Sequence, residues 1–112
     1  MFDLTKYDIG FGVGSNCDGE PMTPREVTAG LASIRREACE LFGGYTLTPT
    51  TGGWVNPVGV LVEENGYTLT ILVKRGVSAR DVASFARRLG RRLYQHSVVL
   101  TSGSDAAILE TK

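Results

Sequence analysis

Histidine occurs once in this sequence of 112 residues, as His96, and cysteine twice, as Cys17 and Cys39. One imidazole and two distant thiols do not make a zinc site, and the thiols lack the spacing of a redox pair or a disulfide framework. Cys39 falls in a helical stretch and reads as a small buried hydrophobe, so the chain is expected to be reduced and cytoplasmic. Net charge is absent too: twelve basic residues balance twelve acidic ones, which removes global steering towards nucleic acid or an anionic membrane. No apolar run reaches the length of a membrane span, and MFDLTKYD lacks the basic and apolar regions of a signal peptide. Nothing calls for a metal or an organic cofactor. What remains, 42% hydrophobic and 21% charged, is the composition of one globular domain over residues 1–112 with a core of its own.

Two segments announce helices in the same way. In MTPREV (Met22 to Val27) and VSARDV (Val77 to Val82), a hydroxyl at the N-cap faces an acid at N3, with apolar residues at the staple positions on either side. Pro24 fits the first helical position, where its missing N–H is not needed. The first helix continues through Val27, Leu31, Ile34, Ala38 and Leu41 and stops at Gly43-Gly44. The second uses Val82, Phe85, Ala86, Leu89 and Leu93. Strands fill the rest: Tyr7 to Gly14, then Tyr45 to Thr51, then a hairpin from Val58 to Val73 with Asn65-Gly66 as its turn. Ser97 to Thr101 follows, with Ala106 to Glu110 as an added edge strand. The order predicts an α+β fold, a ferredoxin-like βαββαβ sandwich with both helices on one face of an antiparallel sheet.

IGFGVG, Ile9 to Gly14, alternates strictly, so that Ile9, Phe11 and Val13 face the helices and Gly10, Gly12 and Gly14 face away. A strand face without side chains is weak, because glycine costs backbone entropy and packs nothing. Thr46, Thr48, Thr50, Thr68 and Thr70 join the glycines on that side. A flat surface of this kind suits a covering aromatic such as Trp54, the ring of a ligand, or another copy of the chain; Gly10, Gly12 and Gly14 are the expected oligomer contact.

Familiar motifs do not fit. GFGVGSNCDG lacks the third glycine of a dinucleotide loop and has no Gly-Lys-Ser/Thr, leaving an anion nest at Ser15 and Asn16 or plain turn chemistry. GFGV lacks the basic residue and second aromatic of an RNA-recognition motif. NCDGE would put Arg25 where a calcium loop needs a bidentate Glu. Three features stay open. Trp54 stands in the glycine-rich stretch TTGGWVNPVG, as a partner anchor or as a cover over its own sheet. Arg87, Arg88 and Arg91 form a basic stripe on the second helix, suited to phosphate or carboxylate recognition or to a solvated face. His96 lies at the helix-to-strand turn, as a helix cap or as the base of a nucleophile pair.

GGYTLTPTTGGW, the stretch after it, and ARRLGRRLYQHSVVL together resemble small phage and mobile-element proteins without an assigned activity. Those pair a Gly-Gly-x-Thr strand and a Gly-x-Trp loop with a last helix that enters a strand through Gln-acid-Ala-Val; here His96-Ser97 replaces acid-Ala. The resemblance implies a compact α+β fold, a host-cell cytoplasm, and a host-takeover or anti-defence factor that acts by binding.

With no catalytic signature, the expected function is that of a non-enzymatic, homo-oligomeric binding protein that engages a host protein or sequesters a small phosphorylated ligand, with no membrane partner. Ser15, Asn16, Trp54, Arg87, Arg88, Arg91 and His96 are the candidate contacts. The alternatives are a nucleic-acid binder that uses the arginines of the second helix, and a small hydrolase or isomerase built on His96.

Overall fold

A computed structural model describes residues 3–111. Its elements run β1 (Leu4–Gly12), α1 (Pro24–Phe42), β2 (Thr46–Val55), β3 (Leu61–Lys74), α2 (Ala79–Arg92), β4 (Ser97–Ser102) and β5 (Asp105–Glu110). The strands form one antiparallel sheet in the order β2-β3-β1-β4-β5. This is the ferredoxin-like arrangement expected from the sequence, with β5 added at one edge.

Both helices start where their caps place them. Thr23 and Glu26 exchange side-chain-to-backbone bonds in a complete capping box, Pro24 opens α1, and Gly43 closes it in the left-handed region at φ 87°. Ser78 caps α2 by accepting from Asp81 N–H. The apolar stripe of α1 departs from expectation at its end: Leu41 is 51% exposed, and Phe42 turns inward to meet Phe85 edge-on at 5.2 Å. An i+4 step from Ala38 reaches Phe42, which keeps the row over the sheet, whereas the expected i+3 step to Leu41 leaves it. Cys39, expected to be buried, is exposed, because it lies one residue beyond the buried Ala38 and the helix turns it outward. Ile9, Phe11, Leu69, Ile71, Val73 and Val98 from the sheet meet Leu31, Ile34, Val82, Phe85, Leu89 and Leu93 from the helices in one core.

The expected hairpin turn at Asn65-Gly66 is not formed. β3 runs straight through both residues, and the chain reverses earlier, at Asn56-Pro57-Val58-Gly59. There Gly59 N–H donates to the Asn56 carbonyl, Gly59 has φ 84°, and the Asn56 side chain accepts from the amides of Val58 and Val60. Gly66 serves a different need: a Cβ there would stand 2.3 Å from the Phe11 carbonyl oxygen, so glycine lets β1 approach β3. The two strands pair from Leu4 opposite Lys74 to Gly12 opposite Gly66. Val13 N–H still donates to the Asn65 carbonyl at 2.9 Å, and beyond it Leu61 to Glu64 pair with β2 alone, so the β2–β3 hairpin continues past the end of β1 as a two-stranded arm that carries Trp54.

Candidate active site

The face of the sheet turned away from the helices holds the site. Cross-strand register places Gly10 opposite Thr68, Gly12 opposite Gly66, Thr50 opposite Gly66, and Gly52 opposite Glu64. Partners in register share a face, and alternation then puts Glu64 and Trp54 on the same side as the glycines of β1. Glu64 is the residue that occupies the bare surface. A Cβ on Gly12 would come 2.8 Å from Glu64 Oε1, and one on Gly14 would come 2.9 Å from Glu64 Cγ. The glycines form a trough in which the Glu64 side chain lies. Ser15 N–H donates to Glu64 Oε1 at 3.2 Å, which fixes one oxygen of the half-buried carboxylate.

Glu64 lines a cavity of about 350 Å³. Gly10, Gly12 and Gly66 belong to its sheet wall, Thr50, Gly52 and Trp54 to the arm, and Gln95, Ser97 and Val99 to the turn and strand after α2. Glu64 is its one titratable side chain among the described residues, and Trp54, 55% exposed, its one tryptophan. A fixed carboxylate near an exposed aromatic ring favours a cationic ligand that carries a flat ring. It opposes a phosphate, whose charge has the same sign. No group of three or more His, Cys, Asp or Glu side chains suited to a metal occurs among the described residues.

The structure distributes the sequence candidates unevenly. Ser15 and Trp54 come together around Glu64. Asn16 turns its side chain to the amides of Asp18 and Glu20 and so shapes the neighbouring loop. Among the three glycines expected at an oligomer contact, Gly12 and Gly14 lie under Glu64, while Gly10 faces Val99 at ordinary contact distance. The arginines belong to α2, whose apolar side packs on the opposite face of the sheet. Arg88 is engaged with Glu37 of α1 at 2.7 Å, and Arg91 donates to the Thr111 carbonyl at 2.6 Å. His96 is exposed and lines a separate cleft with Ser97, Ile108 and Glu110, and its carbonyl accepts from Thr111 N–H. Sequence reasoning passed over Glu64 and Gln95. The available signal was that Glu64 lies two residues before Gly66 on the threonine side of its strand.

Two solved structures share this fold over its whole length. One is a phage SAM lyase in complex with S-methyl-5'-thioadenosine, with TM-score 0.67 and 20% identity over 98% of this chain and 92% of that one. The other is a phage SAM lyase in the apo state, with TM-score 0.67, 18% identity and the same coverage. No protein-family model matches the sequence, and no curated protein matches it significantly. The sequence resemblance to small phage proteins of ferredoxin-like type agrees with both neighbours.

The expectation of a non-enzymatic binding protein is corrected by this comparison. Both neighbours with this full-length fold are SAM lyases, which stands against a modulator acting by binding alone and lies nearer to the enzymatic alternative, although the His96 on which that alternative was built lies outside the cavity. The charge of the cavity also disfavours the phosphorylated ligand that the binding reading invoked, since its one titratable side chain is an acid.

Proposed function

We propose that this chain is a lyase that cleaves S-adenosylmethionine or a closely related sulfonium nucleoside. One observation carries the reading: Glu64 lies fixed over Gly12 and Gly14 beside Trp54, in a chain that shares its whole fold with a phage SAM lyase. The substrate suits those groups. It has a sulfonium cation for the carboxylate and an adenine for an aromatic face.

Such a substrate carries its own leaving group. When the bond between sulfur and the amino-acid Cγ breaks, the electron pair goes to sulfur, which becomes a neutral thioether. A lyase adds no water, so Cγ is completed from within the substrate. Attack by the substrate's own carboxylate oxygen closes a five-membered lactone and requires no nucleophile, metal or added base from the protein. The protein's work is then to bind and orient. Glu64 attracts the sulfonium but not the thioether, which favours substrate over product in the groove. Trp54 offers the nucleoside a flat surface, and the half-enclosed cavity limits access of water to Cγ.

Incubation of the purified protein with S-adenosylmethionine, followed by mass spectrometry, tests the reading. Methylthioadenosine and a lactone should accumulate in equal amounts. Glu64→Gln should lower kcat/KM by about 10–100-fold, the worth of a contact to a charged group. Absence of any thioether release by the folded wild-type protein would overturn the assignment.

The same face supports self-association. Leu72, Val99 and Ile108 are 51%, 43% and 74% exposed on it, and the arm ends in the exposed Val55, Val58, Val60 and Leu61. Two-stranded ribbons are marginal alone in water, and apolar surface of this kind marks a contact site. The occupant we propose is a second copy of the chain, on the face where Gly10, Gly12 and Gly14 were the expected oligomer contact.

A further inference from the structure

Gln95 touches the cavity from the corner that joins α2 to β4, and its position is set by the end of the helix. Tyr94 takes the left-handed conformation at φ 55°, Tyr94 N–H returns to the Arg91 carbonyl, and Gln95 N–H returns to the Gly90 carbonyl at 2.9 Å. Together these bonds make a Schellman closure, with Gln95 as the first residue to leave it. The Thr111 hydroxyl donates to the Gln95 carbonyl and ties the same corner to the chain beyond β5. The side-chain amide is as constrained as the backbone. Gln95 Nε2 donates to the Leu93 carbonyl at 2.9 Å and to the Ser15 carbonyl at 2.8 Å, so both of its N–H groups are used.

The bond to Ser15 matters because of what Ser15 does on its other side. The segment after β1 folds back on itself: Ser15 pairs with Pro21, Met22 N–H donates to the Gly14 carbonyl, and Asn16 N–H donates to the Glu20 carbonyl. This small loop crosses from β1 to α1 above the trough, and among the described side chains Gln95 bonds it to the corner after α2. Ser15 then offers its amide to Glu64 Oε1. A continuous path runs from the end of α2 through Gln95 and the Ser15 backbone to the carboxylate.

We propose that Gln95 is a positioning residue for Glu64. By anchoring Ser15 it holds the amide that fixes one carboxylate oxygen, and so sets where the acid meets a cationic centre of the ligand. The functional half of this inference rests on the reading of Glu64 as the group that receives the sulfonium. The geometric half does not, because the coupling from Gln95 to Ser15 exists without ligand.

Two measurements on Gln95→Leu, made on the full chain, separate these halves. The first is hydrogen exchange of the Ser15 amide followed by NMR without ligand. Loss of the anchor should speed exchange at Ser15 by at least about tenfold, while amides in the core of β3 keep their protection. The second is the ratio of affinities for S-adenosylmethionine and methylthioadenosine. A misplaced carboxylate should lower the preference for the sulfonium by about fivefold or more, with thioether binding unchanged. In a Glu64→Gln background the substitution at Gln95 should add nothing to that ratio. A merely structural role for Gln95 would lower both affinities together and leave the ratio alone. Unchanged Ser15 exchange, or, where the wild type does prefer the sulfonium, an unchanged ratio despite faster exchange, overturns the proposal. If the wild type shows no preference for the sulfonium while Ser15 exchange still responds to Gln95, the positioning geometry stands and the lyase reading falls. Gln95→Met keeps the length of the side chain, removes both donors and adds no charge to the cavity, and replaces Gln95→Leu should the latter fail to fold.

Discussion

The carboxylate of Glu64 lies across Gly12, where an added Cβ would stand 2.8 Å from its Oε1. The obstructing atoms are the far end of a flexible side chain, so the sheet can accept alanine by moving the acid aside. Gly12→Ala should therefore leave stability within about 1 kcal/mol of wild type, since the strand gains from losing a glycine. The displaced carboxylate should cost thioether release about tenfold or more. Thermal melts and product assays on the same preparation check the pair of outcomes. A large drop in melting temperature with activity preserved would assign Gly12 to packing alone.

Gly66 provides the contrast, because its obstruction is backbone. An added Cβ would meet the Phe11 carbonyl oxygen at 2.3 Å, and neither β1 nor β3 can move without disturbing their shared ladder. Gly66→Ala should cost about 1–3 kcal/mol of stability, the usual penalty for overpacking a tight site. For a domain of this size that is a fall in melting temperature of roughly 5–20 °C. Chemical denaturation with an unchanged m-value would show that the loss lies in the folded state.

These two glycines show what was legible in the sequence. Helix starts were legible because a cap is a local device: Thr23 with Glu26, and Ser78 with Asp81, are complete within four residues. Topology followed from the order of elements. The hairpin was misplaced because Asn65-Gly66 carries the strongest short-range turn signal, whereas Gly66 is required by a contact with Phe11, which lies far away along the chain. Asn56-Pro57-Val58-Gly59 also had turn residues, and only the β1–β3 pairing decides between the two positions. For the site, the alternation from Ile9 to Gly14 exposed a surface in need of an occupant, but the occupant came from another strand. A single carboxylate in a strand reads as a solvated residue. Nor does a reaction in which the substrate supplies both nucleophile and leaving group demand a motif of its own.

Trp54 separates ligand binding from folding. The residue is 55% exposed at the edge of the cavity, so little stability depends on it. Trp54→Ala should shift the melting temperature by only a few degrees. Loss of a stacking surface for adenine should raise KM by about 5–150-fold, from about 1–3 kcal/mol of base stacking. Fluorescence of the free protein should be red-shifted and quenchable, and methylthioadenosine should protect it. Protection of the ring in a monomer such as Ile108→Arg, before any ligand is added, would contradict this role.

Assembly through the open face can be tested without touching the groove. Gly12→Arg would be ambiguous, because it displaces Glu64 as well as altering the surface. Ile108 is the better choice: it lies on β5, opposite Val99 on β4, and is 74% exposed. Arginine at that position costs the free chain little, since the side chain already stands in solvent. Placed at the centre of a contact between copies, its charge would lose hydration without a partner, at a cost of several kcal/mol. Sedimentation velocity should find the wild type as an oligomer and Ile108→Arg as a folded monomer with the same circular dichroism. If the two sediment alike as monomers at high concentration, the exposed Val99 and Ile108 belong to solvent, and self-association through this face is excluded.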